Sequence, residues 1–323
     1  MKRRYFLMAG IGGAVIPSWA IAQAVDKVYR LAVISPSASS AADIRAIVFP
    51  ELARLGFVEG RNLVITVHVG VAADLPELAR TAIAARPDVV IASTNAGVRA
   101  VLEQSKSVPI VMAFAGEDPV ATGLAKSLAK PGGSVTGLTN QATELDGTHV
   151  ALLHEAVPSA RRIAILAAPP PRHVDSIGEM KRVARALGLD IQEFYGYEEA
   201  EYAAAFAGMR QFRAEAVAIA SAPEYVRDGA ILARLAIEAG LPTIGEAASM
   251  ARDGCLLGYG PDRVVFRRRA ADFAARILRG TPPGDIPIEQ PTVFEFAVNL
   301  KTAKALGLTM PPSILVRADE VIE

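Results

Sequence analysis

The sequence predicts an α/β protein made of two doubly wound parallel-sheet lobes. Three observations lead there. Short apolar runs alternate with helical stretches of roughly 10–15 residues, the pattern of βαβ units on a parallel sheet. The alternation runs as two series of similar period, with DVVIAS (88–93) and AVAIAS (216–221) at matching places. The chain of 323 residues is long enough for two cores, and with 51% hydrophobic but only 6% aromatic residues those cores are built from Ala, Val, Leu and Ile. That composition suits sheets covered by helices on both faces.

In chain order, the first series reads as strand 28–35, helix 41–55, strand 62–70, helix 74–84, strand 88–93, helix 95–105 and strand 109–115. Pro50 falls inside the first helix and predicts a kink or break there. An acidic loop follows, then a helix opened by Asp118 and Pro119, because a carboxylate caps free amides and Pro at the first helical position loses no needed donor. A Pro-Gly-Gly turn and a strand ending at Thr139 complete the series. The second series reads as helix 143–156, strand 162–168, helix 174–187, strand 189–196, helix 200–212, strand 216–221, helix 224–239 and strands 242–246 and 255–260. Residues 261–280 then form a basic amphipathic helix, followed by a Pro-Gly loop, an extended run 288–299, a helix 300–307 and a tail. Arg267, Arg268 and Arg269 read as a solvated face, because Phe266, Phe273 and Ile277 supply the apolar stripe.

The N-terminus MKRRYFLMAGIGGAVIPSWAIAQA has a basic start, an apolar centre and the small-residue pattern Ala20-Ile21-Ala22, so residues 1–22 are expected to be an export signal. Arg3-Arg4 leaves the Sec and twin-arginine routes both open. Removing the signal takes Lys2, Arg3 and Arg4 and leaves a mature charge of −3. With equal numbers of basic and acidic residues overall, nothing argues for nucleic acid. The apolar centre is short of the roughly 20 residues a membrane span needs, and the expectation is a free periplasmic protein. The one cysteine, Cys255, reads as a small buried residue.

Four segments carry a family resemblance: GFVEGRNLVI (56–65), FAGEDPVATGLAKSLAKPGGSVTGLTN (114–140), LLGYGPD (256–262) and the tail PIEQPTVFEFAVNLKTAKALGLTMPPSILVRADEVIE (287–323). Together they resemble the ABC transporter substrate-binding proteins of the tryptophan/tyrosine type. The resemblance implies a type I periplasmic binding protein fold, in which a three-segment hinge joins two lobes that close on a small solute. The crossovers are expected near 137–140, 257–261 and 287–292. Lobe 1 then comprises 23–138 plus 261–286, and lobe 2 comprises 139–260 plus 287–323.

Binding needs polar groups at the carboxyl ends of strands, facing the cleft. For a zwitterion, hydroxyls and helix-start amides suit the carboxylate, and a carboxylate or carbonyl suits the ammonium. The candidates in lobe 1 are Ser35, Ser37, Ser93, Thr94, Asn95, Glu117 and Asp118, of which Ser37, Asn95 and Asp118 serve equally well as helix caps. In lobe 2 they are Asn140 (hinge, cap or contact), His173, Ser221, Glu246 and Tyr259, with Glu224 nearby. The loop APPPRH (168–173) carries prolines where the family usually has asparagines, leaving His173 as its titrating side chain.

No serine elbow, phosphate loop or CxxC pair occurs. His149 and His154 are five apart, about 140° around a helix, and do not share a face. No enzyme activity, cofactor or metal is expected. The expected function is capture of an amino acid or similar small polar solute by a monomer that delivers it to the permease and ATPase of an ABC importer. The alternative reading is a periplasmic sensor that signals to a receptor kinase.

Overall fold

The computed structural model describes residues 27–116, 118–140, 142–169 and 174–323. The expected export signal, Glu117 and His173 lie outside the described residues. The first half contains β1 (Tyr29–Ser35), α1 (Ala38–Arg54), β2 (Leu63–Val69), α2 (Leu75–Ala84), β3 (Val89–Ala92), α3 (Asn95–Gln104), β4 (Ile110–Ala115) and β5 (Val135–Thr139). These five strands form one all-parallel sheet in the order β2-β1-β3-β4-β5. Alternation along β1 shows why both faces are covered. Leu31 and Val33 pack with residues of α1, whereas Ala32 and Ile34 pack with residues of α2 and α3.

The second half contains α4 (Ala142–Ala156), β6 (Arg162–Ala167), α5 (Val174–Ala186), β7 (Asp190–Tyr195), α6 (Glu199–Gln211), β8 (Ala216–Ile219), α7 (Pro223–Arg227), α8 (Gly229–Glu238), β9 (Thr243–Gly245), α9 (Ala248–Arg252) and β10 (Leu257–Pro261). The chain ends with α10 (Arg263–Leu278), β11 (Phe294–Asn299), α11 (Leu300–Ala305), α12 (Pro312–Arg317) and β12 (Glu320–Ile322). The second sheet has seven strands in the order β12-β11-β10-β9-β8-β6-β7. Strands β6 to β10 are mutually parallel, whereas β11 runs antiparallel to β10 and β12 runs parallel to β11.

The chain passes between the sheets three times. It leaves the first after β5 and returns when β10 of the second sheet leads into α10, whose Phe266, Ala270 and Phe273 join the first core. The segment before β11 takes it out again, and there Glu289 donates its amide to the Gly137 carbonyl while Thr139 donates to the Glu289 carbonyl. The outgoing strand and the final connection are therefore bonded side by side.

Four expectations need correction. The segment opened by Asp118 and Pro119 is a set of turns, not a helix. Its first turn forms, with Thr122 donating to the Asp118 carbonyl, but Gly123 at φ +72° takes the chain out of helical geometry. The helix expected over 224–239 is two helices, α7 and α8, parted at Asp228. The Asp228 carboxylate accepts from the Tyr202 hydroxyl at 2.7 Å and from the Arg227 guanidinium at 2.7 and 2.6 Å. Of the kink or break expected at Pro50, the break does not occur, because α1 is helical on both sides of it. Finally, Arg267 is not solvated: it is 1% exposed on the inner side of α10 and pairs with Asp43 of α1. Cys255 is fully buried, and burial pushes its thiol up to about 11, which leaves it protonated and inert.

Candidate functional site

The carboxyl ends of β1, β3 and β4 make one wall and those of β8, β9 and β10 the other. On the first wall hydroxyls are abundant and mostly occupied. The Ser93 hydroxyl donates to Ser35 Oγ at 2.9 Å, and Ser35 donates in turn to the Ser37 carbonyl at 2.9 Å. Ser37 caps α1 by accepting from the Ser40 amide at 3.4 Å, and Thr94 caps α3 by accepting from the Gly97 amide at 3.1 Å. Asn95 is buried at the start of α3. Asp118 is exposed and accepts from the amides of Val120 and Ala121 at 2.8 and 3.3 Å, a local cap for the turn. Ser35, Ser37 and Ser93 are thus brought together, while Asp118 is held by its own loop.

The second wall is charged. Ser221, just past β8, donates both its amide and its hydroxyl to Asp146 Oδ1, at 3.0 and 2.8 Å. The same hydroxyl lies against Glu246, which follows β9. Asp146 is fully buried on α4 and Glu246 is 4% exposed. Asp146 Oδ2 and Glu246 Oε1 have no hydrogen-bond partner among the described residues. His149, also fully buried on α4, donates from Nε2 to the Tyr259 carbonyl at 2.7 Å, and its Nδ1 stands 3.5 Å from Asp146 Oδ1.

Arg263, the first residue of α10, links the lobes: its guanidinium is 3.7 Å from Glu246 and 3.8 Å from Asp43. Burial drives the Glu246 carboxyl above its usual range, and Asp146 adds to that, whereas Arg263, His149 and the Ser221 hydroxyl pull it back. Burial, with Arg263 beside it, brings Arg267 down to about 10, still charged at neutral pH.

Sequence reasoning did not find Asp146, His149, Asp43, Arg263 or Arg267. A signal for two of them existed. Leu145, Leu152, Leu153 and Ala156 form the apolar stripe of α4, and Asp146 and His149 lie on or beside it. Polar residues on an apolar face are the informative exceptions. Of the expected second-wall residues, Ser221 and Glu246 come together. The Tyr259 ring stacks on Phe294 with centroids 5.7 Å apart and packs edge-on to Phe296, so its side chain is occupied by packing. Asn140 is 4% exposed after β5, and its Oδ1 has no hydrogen-bond partner among the described residues.

The walls approach each other where α1 lies against α7. A cavity of 110 Å³ remains at the hinge side, between Gly116, Asp118, Pro119 and Leu128 of the first lobe and Thr139, Glu144 and Gln290. This is below the roughly 300 Å³ at the lower end of ligand pockets. A larger hollow of 260 Å³ lies at the opposite edge of the second sheet, near Ala160, Glu215 and Pro242. Its only acid, Glu215, is already held by the Arg161 and Arg162 amides and the Arg162 guanidinium. Among the described residues no helix is long and apolar enough to cross a membrane, and no cluster of His, Cys, Asp and Glu could hold a metal ion.

Comparison with known proteins gives three findings. A family model described as "ABC transporter substrate binding protein" matches residues 37–322. A tyrosine-binding protein of Clostridioides difficile is 26% identical over 260 residues, covering 78% of this chain and 73% of that protein. Among solved structures, a conserved domain protein from Vibrio cholerae superposes with a TM-score of 0.82 at 25% identity, over 91% of this chain and 100% of the other. An ABC domain from Streptococcus pneumonia in complex with L-Trp superposes with a TM-score of 0.77 at 23% identity, with the same coverage.

Proposed function

Because this chain belongs to the ABC transporter substrate-binding protein family, we propose that it is the solute receptor of an ABC importer, capturing an amino acid or similar small polar molecule and handing it to a membrane permease and its ATPase. The observation that carries this is the family match over residues 37–322, on a chain with two largely parallel sheets. No bond is made or broken in this role. The work is capture and closure, with the ligand's buried surface and hydrogen bonds offsetting the cost of bringing the lobes together.

The lobes divide at 23–138 plus 261–286 and 139–260 plus 287–323, and they rotate about the three connections. Ser35, Ser37, Ser93, Thr94, Asn95, Glu117 and Asp118 line one side, and Asn140, His173, Ser221, Glu246 and Tyr259 the other. The protein works as a monomer, exported to the periplasm by residues 1–22. The amino-acid assignment is supported by the tyrosine-binding relative and by the shared fold of the L-Trp complex. Thermal-shift measurements with the purified mature protein across the twenty protein amino acids test it. A rise in unfolding midpoint with at least one of them is expected, since a ligand at a hundred times its Kd adds about 2.7 kcal/mol to stability. No rise with any would overturn the amino-acid assignment. Loss of uptake of the identified ligand on deleting the gene tests the importer role.

A further inference from the structure

We propose that Arg263 is a latch between the lobes: carried on the first, it compensates the Glu246 carboxylate of the second as the cleft closes, and so sets the ease of closure before any solute arrives. This deepens the reading above and rests on its two hinged lobes.

Placement is the first observation. Arg263 opens α10 two residues past Pro261, where β10 ends. Its backbone is held there. The Asp262 carboxylate accepts from the Val264 and Val265 amides at 2.9 and 3.0 Å, and the Asp262 amide donates to the Val293 carbonyl. Glu246 arrives from the other side. It follows β9, and β10 runs so close against it that a Cβ on Gly260 would overlap the Glu246 carbonyl oxygen. The two side chains meet beside the crossover, with nitrogen and oxygen 3.7 Å apart.

Competition for partners is the second. Asp43 Oδ2 faces both Arg263, at 3.8 Å, and Arg267, which is closer. Arg267 is 1% exposed and repels Arg263. Asp43 is thus already matched, and like charge presses Arg263 toward Glu246. On its own lobe Glu246 meets Asp146, which repels it, together with His149 and Ser221. The Ser221 hydroxyl proton goes to Asp146, and His149 Nε2 goes to the Tyr259 carbonyl. The guanidinium that serves Glu246 comes from across the cleft.

Glu246 is 4% exposed in this arrangement. When the lobes part, water solvates it. When they close, the carboxylate is buried, and a buried charge stripped of its partner is strongly destabilising even where the intact pair adds little net stability. Removing Arg263 therefore opposes closure. At 3.7 Å the contact is longer than the roughly 2.7–2.9 Å of a charge-assisted hydrogen bond, so it favours closure without locking it.

Small-angle X-ray scattering of the purified, ligand-free mature protein tests the latch. Arg263→Gln, with Arg263→Met as the alternative neutral variant, is expected to show a larger radius of gyration than wild type, the mark of a population shifted to the open form. Arg263→Lys keeps the charge and is expected to match wild type. In a Glu246→Gln background the same neutral change is expected to leave the radius where it is. For any amino acid that raises the melting temperature, release from Arg263→Gln in stopped flow is expected to be about fivefold faster or more, with association little changed. An unchanged radius in the neutral variants overturns the proposal. So does a rise that persists undiminished beside Glu246→Gln, which would mark a packing effect. Neither result touches the amino-acid assignment, because no solute is present. Failure of every amino acid to bind overturns that assignment and leaves the scattering to decide the latch.

Discussion

The two walls of the cleft are made of different chemistry and are satisfied in different ways. On the first wall the polar groups are short hydroxyls that close on themselves: Ser93 donates to Ser35, Ser35 to the Ser37 carbonyl, and Ser37 and Thr94 hold helix-start amides. On the second, the polar groups are carboxylates buried under α4 with lone pairs unused and a guanidinium shared with the other lobe. The difference teaches that a wall built of caps is complete without a ligand. A wall built of buried acids keeps acceptor positions, Asp146 Oδ2 and Glu246 Oε1, that no described residue fills.

The comparison can be broken most forcefully at the backbone of the second wall. At Gly260 a Cβ would overlap the carbonyl of Glu246. Gly260→Ala is expected to cost about 3 kcal/mol or more, the top of the range for overpacking, read as a lowered midpoint in urea unfolding. Next is the charge cluster that ties the wall to the first lobe. Asp43→Asn leaves Arg267, 1% exposed, without its carboxylate. Breaking a buried pair costs about 3–5 kcal/mol, and because the Asp43 side chain is 47% exposed, about 2 kcal/mol is expected by the same measurement.

The first wall should yield less. Thr94→Ala removes one cap from α3 and is expected to cost about 1 kcal/mol, with amino-acid affinity little changed if Thr94 serves only its helix. A loss of tenfold or more would show that this hydroxyl also serves the ligand.

The smallest effect sharpens the comparison through pH. Burial raises the Glu246 carboxyl in the folded protein, although Arg263 opposes this. A carboxyl raised on folding gives stability that is present below its unfolded value of about 4.5 and lost as pH rises through the folded value. In ligand-free protein, Glu246→Gln is therefore expected to raise the melting temperature relative to wild type at pH 7 and to leave it unchanged at pH 4. A variant that melts lower than wild type at pH 7 would mean that the Arg263 pairing outweighs the burial.

Much of the fold could be read along the chain because its signals are local. Ser37, Thr94 and Asp262 accept from amides at the starts of α1, α3 and α10, and runs such as Val89–Ala92 and Ala216–Ile219 are apolar because both faces of the strand are covered. Reading failed where a distant side chain decided the outcome. The break at Asp228 depends on Tyr202, 26 residues away, and the burial of Arg267 depends on Asp43, 224 residues away.

The site divides in the same way. Sequence alone determined that strand ends carry Ser35, Ser93, Ser221 and Glu246, because strand-to-helix alternation sends every parallel strand's end to one edge. Only the tertiary structure decided that Asp146 and His149 stand behind Ser221, and that Arg263 reaches both Asp43 and Glu246. The physical reason is range: hydrogen bonding within a turn is written into neighbouring residues. A buried charge is determined by whatever the whole chain packs around it.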